Sequence, residues 1–482
     1  MADSYFFYDL ETSGLSPSDD RVMQFAGQRT DANLVPIGEP INVLIKLSAD
    51  ILPSPDAIVI TGITPQQTIT EGLTEVEFLN YFHETVAQPN TIYLGFNTIR
   101  FDDEFMRYLF YRNFYDPYEW QWLNKCSRWD ILDLVRMTRA LRPDGIEWPV
   151  TSEGKATNRL ELLTKLNGLE HSRAHDALSD VYATISIAKL ISDKQPALFK
   201  YLLDNRTKQS VLALLNAAQP FVYSSGRYPS DTLNTTVAAI LSEHPQAGSY
   251  IIFDLRFDPE AVAEMTVEEI VTAWRYDPDM KPARKPIKTL KTNRCPAIAP
   301  FNVINSDVVA ARLQLDLKEV DKNYQKLQQV KDVLTGKVLA AQKILDEERA
   351  KDYQSRKVSV DAQLYEGFFN HSDKNALRLL RECAPDEING YVNRVQDERL
   401  KQLIPLYKAR NYPSRLTSDE RAAWDQYCHE KLFAGGTSSL LAAYFSRIQH
   451  LAVTAPADSN TAYLLEELRL YGESVMPSDE AA

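Results

Sequence analysis

The stretch Phe6-Phe7-Tyr8-Asp9-Leu10-Glu11-Thr12 decides how the rest of this chain is read. It is an apolar, aromatic run of strand character, broken by two carboxylates two positions apart. Side chains on a β-strand alternate between faces, so Asp9 and Glu11 share a face. Adjacent carboxylates repel each other and resist desolvation unless a cation sits between them. The plainer alternative is an edge strand whose two acids simply face water. Which reading holds depends on whether the chain supplies further ligands.

Working outward, Thr12 to Pro17 reads as a turn. Residues 22–29 and 41–47 read as two more strands. Three early strands followed by alternating helices and strands predict a mixed sheet with an antiparallel start. Residues 75–86 have helical spacing, with Val76, Leu79 and Phe82 on one face. Residues 91–96 read as a short buried strand, and the next helix begins near Asp102, Asp103 and Glu104. Acids at a helix start are favoured by the dipole, so capping accounts for at least one of them. Asp102 closes the strand-loop-helix unit and is the candidate metal ligand. Asp103 is then the capping or supporting residue.

Nine aromatic residues lie between Phe105 and Trp122, interleaved with Arg107 and Arg112 and followed by Arg128. About two-thirds are expected in the core. The remainder suit stacking platforms for single-stranded bases with arginines on the phosphates. Tyr118 and Trp122, with Arg107 and Arg128, are the candidates. Residues 130–142 and 159–167 follow as helices, and His171 to Asp180 leads into a helix over 181–190. Five residues along a helix turn through about 500°, so His175 and Asp180 cannot converge if both are helical. They converge if His175 lies in the preceding loop and Asp180 one turn inside. The plain readings are a surface or capping histidine and a solvated acid.

Taken together, Asp9-Leu10-Glu11-Thr12, Asn97 to Asp102 (an N-x-x-F-D pattern with one extra residue) and His175 to Asp180 resemble the three motifs of the DEDDh 3′→5′ exonucleases. Each motif alone is weak; three in this order are strong. The five-residue step from His175 matches the histidine subclass. Further stretches resemble the bacterial exonuclease I family: Ile60 to Pro65, Tyr111 to Tyr118, Ser127 to Asp130, Ala174 to Ala177 and Asp361 to Tyr365. The middle third of the chain matches least obviously.

The resemblance implies an RNase H-like exonuclease domain over 1–195, an SH3-like domain over 196–350 and a helical domain over 351–482. It implies a 3′→5′ exodeoxyribonuclease that converts single-stranded DNA to nucleoside 5′-monophosphates in DNA repair. Two Mg²⁺ ions about 3.5–4 Å apart can act on attacking and leaving oxygens together. Asp9, Glu11, Asp180 and Asp102 are the expected ligands, with Mn²⁺ as an alternative metal. His175 is the expected base, its pKa lying in the useful range. On family grounds Glu11 also meets the terminal 3′-hydroxyl, and Arg159 is a phosphate ligand with a structural ion pair as its alternative. The expected partners are single-stranded DNA and the single-stranded-DNA-binding protein.

Composition sets the bounds. The chain has 482 residues, 44% hydrophobic and 25% charged, with a net charge of −13. That length divides into several domains, and disorder is not the default. The negative balance argues against a nucleic-acid coat protein but allows an enzyme with one basic groove. Residues 275–294 are such a local reversal, either a solvated loop or one wall of a groove. The four cysteines form no C-x-x-C pair, which suits a reducing compartment. The acidic start and the lack of an apolar span predict a cytoplasmic protein, and a monomer is expected. Two other readings remain: an exoribonuclease or proofreading exonuclease of the same fold, and a binding protein with a degenerate nuclease site. The second would lack an acid, and none is missing.

Overall fold

The computed structural model describes residues 4–169, 176–217, 219–275, 285–304, 306–355, 358–454 and 459–476. Its first sheet contains β1 (Ser4–Thr12), β2 (Val22–Thr30), β3 (Ile41–Leu44), β4 (Thr91–Gly95) and β5 (Ser127–Asp130). The strand order is β3-β2-β1-β4-β5. Pairings among the first three strands are antiparallel, whereas β4 runs parallel to β1 and to β5. This is the mixed sheet with an antiparallel start that the sequence predicts. β1 lies at its centre, with β4 pairing it over Ser4–Phe7 and β2 continuing beside Asp9 and Glu11.

Each face of β1 meets a different layer. Phe6, Tyr8 and Leu10 pack with Phe25, Phe78 and Phe105. Tyr5 and Phe7 pack on the other side with Ala177, Val181 and Ile185 of the helix Ala177–Lys194. Full burial of side chains of this size stabilises by about 1.5–3 kcal/mol each. Asp9 and Glu11 share the second face, at the end where the layer of apolar side chains stops.

Two helical stretches are interrupted. The span 75–86 is the helix Glu75–Tyr81 followed by a wider turn, Phe82–Val86, which keeps Phe82 and Val86 buried. The span 199–218 divides into Pro196–Asp204 and Lys208–Ala217. Between them, the Thr207 hydroxyl accepts a hydrogen bond from the Ser210 N–H at 3.2 Å and starts the second helix.

A second, fully antiparallel sheet contains β6 (Phe221–Ser224), β7 (Thr235–Glu243), β8 (Ser249–Asp254), β9 (Ile287–Lys291) and β10 (Ala297–Pro300). Its order is β10-β6-β7-β8-β9. The 39-residue helix Leu317–Ser355 packs against β7. Beyond residue 358 the described chain is helical. That helical part shares a core with the first sheet: Met23, Leu47, Ile51, Ile58 and Ile63 pack with Leu441, Tyr444, Leu465 and Leu468. Among the described residues, no helix is long and apolar enough to cross a membrane.

Candidate metal centre and nucleic-acid groove

Asp9, Glu11 and Asp180 converge, with one carboxylate oxygen from each lying within 4.8 Å of the others. The strand period places the first two on one face. Asp180 comes from the first turn of the helix Ala177–Lys194, which packs on that face. Asp176 caps this helix, accepting hydrogen bonds from the Leu178 and Ser179 N–H groups at 3.1 and 3.2 Å. His175 lies outside the described residues.

Asp102 begins the helix Asp102–Arg112. It is buried, and its Oδ1 accepts the Leu10 N–H at 3.1 Å, which ties it to β1 between the two strand acids. Asp103 points away from them: it accepts the Tyr8 hydroxyl at 2.5 Å and a hydrogen bond from Arg128. Neither side chain caps the helix. The adjacent acids therefore have separate tasks, one beside the cluster and one beneath the sheet.

The loop carrying Asp102 is built around two residues. A Cβ at Gly95 would sit 2.0 Å from Thr98 Cγ2 and 2.7 Å from the Tyr8 carbonyl oxygen, so β4 must end on glycine. Asp130 accepts the N–H groups of Asn97 and Leu132 at 2.9 and 3.0 Å, and that of Ile99 at 3.4 Å. The sequence reading had a helix begin at Asp130 and overlooked this clamp. Its signal was the strand-like Ser127-Arg128-Trp129 just before it.

The electrostatics fit a cation-binding site. Burial, then Asp102 and Asp180, raise the Asp9 carboxyl well above its usual range. Burial, then Asp9 and Asp180, push Glu11 up to about 9. Burial also raises Asp102, with Asp103 adding to the effect. Among the described residues, every charged neighbour acting on Asp9 and Glu11 is itself an acid. Hard oxygen donors clustered in this way form a donor set for a divalent metal.

A groove of about 990 Å³, lined by none of these four acids, lies between the first sheet and the second. Arg107, Tyr118, Trp122 and Arg128 all line it, as do Lys291 and Arg294. Trp122 is 60% exposed, whereas Arg107 is buried and paired with Glu104 at 2.7 Å, its guanidinium over the Tyr118 ring. Arg128 also donates to the Asn293 carbonyl at 2.9 Å. Arg159 stands apart, exposed at the start of the helix Leu160–Leu166. Of the nine aromatic residues, six are buried: Phe105, Tyr108, Phe110, Tyr111, Phe114 and Trp120.

The basic run is divided between roles. Lys291 and Arg294 face the groove, but Arg275 pairs with Glu348 at 2.5 Å and Lys288 lies 3.6 Å from the Tyr228 ring centre. Lys281 and Arg284 lie outside the described residues. Glu104, which the sequence reading left unassigned, joins three parts of the chain. It binds Arg107, Arg294 at 2.6 Å and the Tyr365 hydroxyl at 2.5 Å.

Comparison with known proteins finds three family matches along the chain. The Exonuclease family matches residues 6–188, the Exonuclease I SH3-like domain 206–343 and the Exonuclease I C-terminal domain 358–475. Exodeoxyribonuclease I of Haemophilus influenzae is 37% identical over 477 residues, covering 97% of this chain and 98% of its own. That of Escherichia coli is 38% identical over 479 residues, covering 98% of both. Escherichia coli exonuclease I in complex with a dA16 oligonucleotide superposes with a TM-score of 0.90 at 36% identity, covering 98% of this chain and 100% of that one. The exonuclease I of Methylocaldum szegediense gives 0.89 at 38% identity, covering 99% and 100%. With its mixed sheet, SH3-like sheet and helical C-terminal part in this order, the chain belongs to the exonuclease I family.

Proposed function

We propose that this protein is a 3′→5′ exodeoxyribonuclease that degrades single-stranded DNA to nucleoside 5′-monophosphates, in DNA repair and recombination. The observation that carries this reading is the convergence of the Asp9, Glu11 and Asp180 carboxylates, with Asp9 and Glu11 raised by burial and by their acidic neighbours. These three residues would hold two Mg²⁺ ions, with Asp102 completing the set through water. Bound there, the metal would supply charge neutralisation at the phosphate and a more acidic water.

The chain's own groups do the rest. His175 takes the proton from the attacking water, and Glu11 also receives the terminal 3′-hydroxyl, which restricts cleavage to the end of a strand. Tyr118 and Trp122 stack bases, and Arg128 and Arg159 serve the phosphates, while Arg107, buried against Glu104, backs the Tyr118 ring instead. We assign the three domains to residues 1–195, 196–350 and 351–482, and place the enzyme in the cytoplasm as a monomer. The known ExoI/SSB-Ct complex, whose exonuclease superposes with a TM-score of 0.89 at 36% identity over 99% of this chain and 100% of that one, supports the single-stranded-DNA-binding protein as a partner.

The test is a 5′-labelled oligonucleotide, offered as single-stranded DNA, duplex DNA and RNA, with Mg²⁺ or EDTA. Shortening from the 3′ end on single-stranded DNA alone is expected, lost in EDTA. Asp9→Ala and His175→Ala are each expected to lower turnover by about 10²–10³-fold or more. Equal digestion of RNA would favour an exoribonuclease. Binding without shortening would overturn the enzyme reading.

A further inference from the structure

We propose that the C-terminal helical part sets the aim of Glu11 through Arg21, which makes Arg21 a positioning residue for phosphodiester cleavage. This inference rests on the function proposed above. It begins with an irregularity in the pairing of β1 with β2. Glu11 faces Gln24, but Thr12 faces Val22, so Met23 is an extra residue on β2 and the ladder bulges beside Glu11. A bulge bends its strand, raises the local twist and re-aims the neighbouring side chain. Whatever holds this bulge therefore helps to set the direction of the Glu11 carboxylate.

The Ile45 N–H donates to the Met23 carbonyl at 2.8 Å, and two further contacts that hold the bulge lead to the C-terminal part. Met23 packs in the core shared with Leu441, Tyr444, Leu465 and Leu468. Arg21, two residues before Met23, is locked to the strand beyond Glu11. The Arg21 N–H donates to Ser13 Oγ at 2.9 Å, and the Ser13 N–H donates to the Arg21 carbonyl at 2.8 Å. The Arg21 guanidinium is itself buried and donates to Asp361 Oδ2 at 2.9 Å, on the short helix Val360–Tyr365.

Asp361 is held rigidly in turn. Arg410 donates to both of its oxygens, at 2.7 and 2.8 Å, and also to Asp50 at 2.8 Å. Lys431 closes the network on Asp50 at 2.7 Å. Burial opposes charge on Asp361, yet Arg410 and Arg21 together hold its carboxyl below the usual range. Removing one partner from such a buried set leaves an uncompensated charge and is strongly destabilising. Arg21 is the member of this network whose backbone also bonds Ser13, the residue just after the strand carrying Glu11, while its guanidinium donates to the Asp19 and Asp20 carbonyls as well. If Val360–Tyr365 shifts, the bulge loses its pin. The metal centre is then properly formed only when the C-terminal part is seated.

The test uses the full chain and a trinucleotide substrate, chosen to be too short for grip along a groove to matter. Arg21→Gln leaves Asp361 its two bonds to Arg410, and Asp361→Asn keeps a hydrogen-bonding side chain facing Arg410. Arg447→Ala is the control. It removes an exposed ion pair with Asp56 at 2.5 Å that spans the same two parts of the chain without touching the bulge. Turnover, KM, Mn²⁺ binding by electron paramagnetic resonance and thermal unfolding are read for each. Arg21→Gln and Asp361→Asn are expected to lower kcat, and to weaken Mn²⁺ binding, by about 10–100-fold with KM unchanged. Arg21→Lys recovers most of the loss, and Arg447→Ala behaves as wild type.

A loss confined to long strands, with trinucleotide turnover and Mn²⁺ binding intact, would overturn the inference. So would an equal loss in Arg447→Ala, because general loosening of the domains would then explain both. If the wild-type chain binds Mn²⁺ but cleaves nothing, the proposed function fails. The Mn²⁺ affinities of the variants would still decide whether Arg21 shapes the site.

Discussion

Glu11 is the residue at which the chemistry of the site becomes a stability measurement. Its carboxyl is raised from 4.5 to about 9 by burial and by Asp9 and Asp180. The folded chain therefore retains a proton that the unfolded chain releases, and stability falls as pH rises through that window. Asp9 and Asp102 shift in the same direction and add to the effect. The metal-free protein should thus melt at progressively lower temperature between about pH 5 and pH 9. Added Mg²⁺ favours the charged forms, so the rise in Tm that it produces should grow with pH. Glu11→Gln should flatten the metal-free profile. A profile as steep as wild type would show that Glu11 is not the group that titrates.

At the scale of elements, the decisive unit is the loop between β4 and the helix Asp102–Arg112. It turns sharply at Gly95, is fastened by Asp130 and delivers Asp102 to the backbone of Leu10. Asp130→Ala removes the acceptor for three backbone N–H groups and should destabilise by about 1–3 kcal/mol in urea unfolding. Turnover per folded molecule should fall as well, because Asp102 is carried on that loop. The strand acids were legible because a period of two needs only local sequence. Asp130 was not. Its three donors lie on both sides of a parallel pairing that no local pattern reveals.

At the scale of the whole molecule, the groove between the two sheets collects positive charge that the overall balance of −13 conceals. Trp122→Ala should weaken binding of single-stranded DNA by about 1–3 kcal/mol with little change in salt dependence. Lys291→Ala should instead reduce the slope of log affinity against log salt by about 0.7, the signature of one lost phosphate contact. Titrations at several salt concentrations separate the two, and identical behaviour of both variants would remove Trp122 as a stacking platform.

The sequence by itself determined the mixed sheet with its antiparallel start, the common face of Asp9 and Glu11, and a helix carrying Asp180. Each follows from a short-range period, cap or turn. Tertiary structure alone decided that β1 is central, that Asp102 and Asp103 face different neighbours, and that Arg107 is committed to Glu104. It alone joined Arg21 to Asp361 across 340 positions. Burial makes unpaired charge costly, so a buried ion takes its partner wherever the chain brings one. Such a choice depends on distance in space, and residue spacing along the chain carries no trace of it.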